Sequence, residues 1–333
     1  MAEMSVREDN LHLIFISAFY FYNRINLSDM SDALFCDPIS GVCEIPGAGT
    51  PAGAAAAAAI PADKPLRIVY FTDPICSTCW GIEPQWRRLK LEYGHVLDIS
   101  YHMGGLLPSW KVYNSGGISG PADVAHHWEE VAVHYQMPID GSVWLQDPPD
   151  SSFPPSRWFK AAQVQDTHKA VIFLRRLREM IFMEAINITR TEEVLKAAAY
   201  AELDTAQLEQ DFAETAPALF EADLQLRKEM GVRGFPSVFF VNADGTSELV
   251  YGAKPYQVFI TALHKLLPAA QPRAYAKDIA LFSYFPTLTT KEYAVLNDMS
   301  FEAAYEALEA FRAQGKVSVL EAGKGHLWRI TAD

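Results

Sequence analysis

A CxxC motif placed directly after a buried strand restricts a chain more than any feature of its composition. Leu66 to Phe71 (Leu-Arg-Ile-Val-Tyr-Phe) is a short run of β-branched, aromatic and aliphatic residues, which predicts a strand. Thr72-Asp73-Pro74 ends it, and a helix is expected from Cys76-Ser77-Thr78-Cys79 through Trp86 and Leu89, kinked by Pro84. The free amides of a first helical turn stabilise a thiolate. Cys76 is therefore the expected nucleophile with a lowered pKa. Cys79, a turn later and deeper, is the thiol that would resolve a mixed disulfide. The alternative is half of a zinc site, completed by Cys36 and Cys43. A strand before the motif and a kinked helix after it favour redox chemistry, because zinc knuckles sit on tight turns.

The second motif is Gly231-Val-Arg-Gly-Phe-Pro236. A proline that opens a strand removes one backbone donor, and in the cis form it turns the preceding backbone toward the CxxC. An X-Pro bond is ordinarily trans. Its joint occurrence with the CxxC predicts a cis bond here. Phe235 and Pro236, with Ser77 and Thr78 between the cysteines, are the expected substrate-contacting residues.

The remaining pattern fits these motifs. Val96–His102 is a second expected strand. Residues 105–230 are largely helical, over Asp123–Gln136, Ser156–Ile186, Thr191–Tyr200 and two helices between Asp204 and Met230, with Thr205 and Thr215 as expected caps. Ser237–Asn242 and Ser247–Tyr251 form a hairpin about Asp244-Gly245, and Tyr256–Leu267 is a closing amphipathic helix. This order predicts an α/β thioredoxin-like fold over residues 66–270, with a large helical insertion at about 105–230. Residues 1–65 are an expected tail and linker. Residues 274–333 form an expected small second domain, in which three helices and a hairpin suggest a winged helix.

Phe71-Thr-Asp-Pro-Ile-Cys-Ser-Thr-Cys-Trp-Gly81 and Gly231-Val-Arg-Gly-Phe-Pro-Ser237 resemble the DsbA-like thioredoxin superfamily. Ser151-Ser-Phe-Pro-Pro-Ser-Arg157 and Lys160-Ala-Ala-Gln163 resemble its cytoplasmic branch. That branch includes FrnE-type oxidoreductases and the YjbH/SpxH adaptors of the ClpXP protease. The resemblance covers roughly residues 66–268, and it implies Cys76 as nucleophile, Cys79 as resolving thiol and a cis Pro236. The sequence departs from the family in two places. The central dipeptide is Ser-Thr rather than the Pro-His of the strongest oxidants. Phe235 stands where family oxidoreductases commonly carry Val or Thr, and its ring is large enough to screen the sulfurs. The leading expectation is a thiol–disulfide oxidoreductase or isomerase acting on protein or small-thiol substrates. The alternative is a non-catalytic protease adaptor that holds a client.

Composition narrows the partners. The chain has 333 residues and a formal net charge of -13, a surface that repels phosphate backbones and anionic lipid. Neither nucleic acid nor a membrane is an expected partner, and no cofactor or metal beyond the cysteines is implied. The chain reads as cytoplasmic. Leu11–Tyr22 is too short to span a bilayer, and its acidic flank and the absence of a small-residue cleavage site fit a signal peptide poorly. Translation beginning at Met30 is one account of that segment.

Four cysteines are too few for a disulfide scaffold. Cys36 and Cys43 stand either as chance residues or as an accessory redox pair. Closing so short a loop contributes only about 2.5 kcal/mol. About 23 residues separate Cys43 from the first strand, and a Gly-rich coil of that length spans roughly 25–29 Å. Such a tether allows a visit to the CxxC. His126, His127 and His134 read as surface histidines rather than ligands. Trp80 and Trp86 read as core beneath the motif, and Arg175, Arg176 and Arg178 as a solvated helix face. The third helix of the tail carries Glu302, Glu306 and Glu309 against Arg312, which argues against DNA.

Overall fold

The structure, a computed structural model, describes residues 43–44, 64–113, 118–322 and 325–331. Leu11–Tyr22, Met30, Cys36, the alanine-rich linker and the Gly323-Lys324 turn lie outside the described residues.

Strand β1 is Cys43–Glu44 and β2 is Leu66–Thr72. β2 is almost wholly buried, as its near-continuous apolar run requires of a central strand. Helices α1 (Ser77–Gly81) and α2 (Glu83–Tyr93) follow, then β3 (Leu97–Met103). The helix expected as one kinked element is two. Ile82 sits between them, and Pro84 occupies the first turn of α2, where its missing N–H costs nothing.

The insertion holds α3 (Pro121–Tyr135), α4 (Val143–Gln146), α5 (Phe153–Gln165), α6 (Thr167–Met183), α7 (Thr191–Tyr200), α8 (Thr205–Glu214) and α9 (Ala216–Glu229). The pattern over 156–186 predicts one helix, but Asp166 divides it. Its backbone is extended, and its carboxylate accepts the N–H groups of His168 and Lys169 at the head of α6. Asp204, not Thr205, caps α8 by accepting from Ala206 and Gln207, and Thr215 makes no side-chain cap. Ahead of Thr205, Asp204 takes the free amides that the threonine was expected to cap.

Strands β4 (Gly234–Phe235), β5 (Ser237–Val241) and β6 (Ser247–Tyr251) and helix α10 (Tyr256–Leu266) complete the α/β unit. The main sheet has order β3-β2-β5-β6, with β2 and β3 parallel and the other pairs antiparallel. Phe71 pairs with Ser237, so Phe235 and Pro236 lie just beyond the end of β2, where α1 begins. β4 pairs separately with β1. This is a thioredoxin-like arrangement with a helical insertion. Trp80 and Trp86 are in its core. The Trp86 indole donates to the Tyr101 hydroxyl at 2.8 Å, and its ring packs on Tyr70.

Beyond residue 274, a 3₁₀ turn over Asp278–Ser283 replaces the first expected helix. Then come β7 (Thr287–Thr289), α11 (Thr290–Asn297), α12 (Phe301–Ala313), β8 (Val317–Ala322) and β9 (Gly325–Ile330). β7 joins the expected hairpin to make a three-stranded antiparallel sheet, order β7-β9-β8. Its three residues are too few to show an alternating pattern in sequence. Leu281, Leu288, Tyr293, Leu308 and Trp328 form a second hydrophobic cluster here.

Candidate functional site at the dithiol helix

Cys76 has an extended backbone and caps α1, with its sulfur accepting the Cys79 N–H at 3.1 Å. Cys76, Ser77, Thr78 and Cys79 are all fully buried. The Phe235–Pro236 bond is cis. Phe235 is also fully buried, and its ring lies against Gly104 so closely that a Cβ there would stand 1.7 Å from it. Pro236 accepts the Gly252 N–H at 2.8 Å, which holds the strand that follows.

Asp73 and Arg178 lie buried beside the pair. Asp73 accepts the Leu106 N–H and the Ser152 hydroxyl on one oxygen, each at 2.8 Å, and the Ile75 N–H on the other at 3.1 Å. Burial nevertheless pushes its carboxyl up to about 6. Arg178 extends from α6, donating to Glu83 at 2.7 Å and to the Thr72 hydroxyl at 2.5 Å.

These surroundings set the two thiols apart. Burial, with the Cys79 sulfur beside it, pushes Cys76 well above the ordinary thiol value. Cys79 is just as buried, but a hydrogen bond from Cys76, the Arg178 charge and the Thr72 hydroxyl outweigh burial and hold it low. The expectation of a lowered Cys76 is thus corrected. The amides of one five-residue helix do not offset complete burial.

The solvated arginine face is also corrected. Arg178 is 1% exposed. Arg175 grips both oxygens of Glu292 at 2.8 and 3.1 Å and lies over the Trp80 ring. Glu179 is a partner of Arg175 within the helix, but Glu83 and Glu292 are remote in sequence, so helix periodicity alone misses them. Asp73 was readable only as a strand terminator, and nothing in the sequence marked Arg178. His127 is buried, while His126 and His134 are exposed. Among the described residues, no cluster of His, Cys, Asp and Glu could hold a metal ion. Among them, too, no helix is long and apolar enough to cross a membrane.

A dithiol at a helix start, opposite a cis-proline at the end of a central strand, defines a thioredoxin-fold protein. The thioredoxin family model matches residues 70–261. The ClpXP adapter protein SpxH of Halalkalibacterium halodurans is 32% identical, over 80% of this chain and 89% of that protein. The protein of the same name from Shouchella clausii is 31% identical, over 88% and 96%. A solved structure of a candidate protein disulfide isomerase from Nitrosomonas europaea has a TM-score of 0.50 at 20% identity, covering 61% of this chain and 96% of that one. That last likeness concerns the fold alone. The chain belongs to the DsbA-like thioredoxin superfamily and is of the SpxH type. The expectation of a protein-disulfide oxidoreductase or isomerase is therefore corrected, since these relatives bear the name of an adapter and not of an enzyme.

Proposed function

We propose that the chain is a cytoplasmic adapter that binds a client protein and presents it to a ClpXP-type protease. The observation that carries this reading is the complete burial of the CxxC in a chain whose relatives are adapters. A catalytic thiol meets its substrate in an electropositive, partly exposed setting, and buried thiols are inert. Neither Cys76 nor Cys79 offers accessible sulfur. On this reading the thioredoxin-like unit over 66–270 is a rigid scaffold. Residues 274–333 are a winged-helix-like module that makes protein contacts, consistent with the acidic face of α12. The test compares protein turnover in cells with and without the gene. Its loss should lengthen the half-lives of a small set of ClpXP-dependent proteins, and a Cys76→Ser/Cys79→Ser chain should restore them. Restoration only by the dithiol form would overturn the adapter reading.

A further inference from the structure

The sheet beyond residue 274 ends in a bare edge. Its order is β7-β9-β8, so among the described residues β8 has a ladder partner on one side alone. The Thr331 N–H donates to the Lys316 carbonyl at 3.0 Å, and Val317 stands opposite Ile330. In an antiparallel ladder, bonded and non-bonded pairs alternate. Ser318, Leu320 and Ala322 therefore bond to β9, and Val317, Val319 and Glu321 turn their N–H and C=O groups outward. Among the described residues, none of those outward groups has a partner.

Two other outer strands are closed by side chains. Asp223 takes the outward Met103 N–H of β3 at 2.8 Å, and Gln163 reaches the Tyr101 carbonyl. On β7, Arg87 takes the Thr287 carbonyl and Glu292 the Thr289 N–H, each at 2.7 Å. β8 has no such cover among the described residues. Its sequence, Val-Ser-Val-Leu-Glu-Ala, holds neither the Pro nor the Lys that commonly blunts an edge. Ser318, Leu320 and Glu321 are exposed.

We propose, resting on the adapter reading, that β8 is the edge where the client docks, and that an extended segment of the client adds to it as a fourth strand. The outward groups recur at every second residue, roughly 6.8 Å apart. An extended backbone meets that spacing with its own N–H and C=O groups, and a helix has none to offer. Side chains then select the segment. Leu320 favours an apolar neighbour, and Glu321, on a chain of net charge -13, favours a basic one. The same net charge repels a second copy of this chain.

The test adds the peptide acetyl-Lys-Val-Lys-Val-Lys-Val-amide to the full chain and follows amide exchange residue by residue. The Ser318 and Leu320 amides are already held by β9, while those of Val317, Val319 and Glu321 face outward. The peptide should slow the three outward amides several-fold and leave the other two unchanged. The same peptide N-methylated at every second residue, on the edge that meets β8, should slow none. No alternating protection at millimolar peptide, or equal slowing by the methylated form, would overturn the docking edge. Glu321→Pro removes one outward N–H and no bond to β9, so the ladder survives. It should weaken the peptide about fivefold or more, the worth of one hydrogen bond. Glu321→Ala keeps that N–H and should keep the alternating pattern. In cells lacking the gene, Glu321→Pro should leave ClpXP-dependent half-lives long where the wild type shortens them. Full rescue by that variant would overturn the edge and leave the adapter reading standing. Half-lives indifferent to the gene would overturn the adapter reading, and the peptide experiment would still decide whether the edge takes a strand. Dimerisation of the wild type that Glu321→Pro abolishes would give the edge to a second copy and overturn client docking.

Discussion

Gly104 and Phe235 are separated by the whole helical insertion, yet one ring occupies the space that any side chain at Gly104 would need. The ring is fully buried and has no open side into which to retreat. Gly104→Ala should destabilise the fold by about 1–3 kcal/mol, the usual range for overpacking. Adding Phe235→Ala should recover part of that loss, and a double-mutant cycle in urea would show the coupling. Asp73 offers a second prediction at this scale. Burial raises its carboxyl from the ordinary 3.8 to about 6, so the folded chain holds a proton there that the unfolded chain has released. Its contribution is complete below the unfolded value and is lost as pH rises through the folded one. Wild-type stability relative to Asp73→Asn should fall by about 2 kcal/mol between pH 4 and 6. A difference that stays flat over that interval would contradict the assignment. Of this site, Cys76, Cys79, Phe235 and Pro236 were legible in the sequence, because each motif is local. The pKa order of the thiols was not. It depends on Arg178, which lies far along the chain and touches Glu83 and Thr72 only after folding.

Among the elements, the strands and most of the helices follow from local pattern. β2 is mostly apolar because both faces are covered, and the Asp244-Gly245 turn joins β5 to β6 where expected. Three of the errors fall where a polar side chain changed the outcome. Asp166 splits one periodic run into α5 and α6, and Asp204 displaces a threonine cap. The third error is α6 itself. Its arginines look like a charged outer face, because an exposed row and a buried ion-pair row share the same spacing. Arg178 ties α6 to both β2 and α2 through one planar fork. Arg178→Met should cost roughly 3–5 kcal/mol by leaving buried Glu83 without this partner. Arg178→Lys should restore only part, because a single ammonium does not replace a fork that reaches Glu83 and Thr72 together. Thermal unfolding of the two variants orders them, and a lysine variant as stable as wild type would refute the fork argument.

On the scale of the whole molecule, two hydrophobic cores meet across charged groups. Arg87 donates to the Thr287 carbonyl at 2.7 Å and pairs with Glu292 at 3.2 Å, while Arg175 grips the same carboxylate from α6. Glu292 also accepts the Thr289 N–H at 2.7 Å, which completes a capping box at the head of α11. Its side chain is wholly buried. Burial alone would raise its pKa, but the two arginines reverse that and hold it below the ordinary 4.5. The resulting stability is present above the unfolded value and drains away as pH falls through the folded one. Acid below about pH 4.5 should therefore loosen the 278–331 region before the main sheet opens. Glu292→Gln should bring the same order of opening to neutral pH, at a cost of about 3–5 kcal/mol, because Arg87 and Arg175 then face each other without their shared anion. Hydrogen exchange separates the two cores directly. Peptides around Trp328 should exchange early in the variant, while those of β2 and β3 stay protected. In the wild type at neutral pH, both sets should exchange together. If they still do so in Glu292→Gln, this carboxylate is not what couples the two cores.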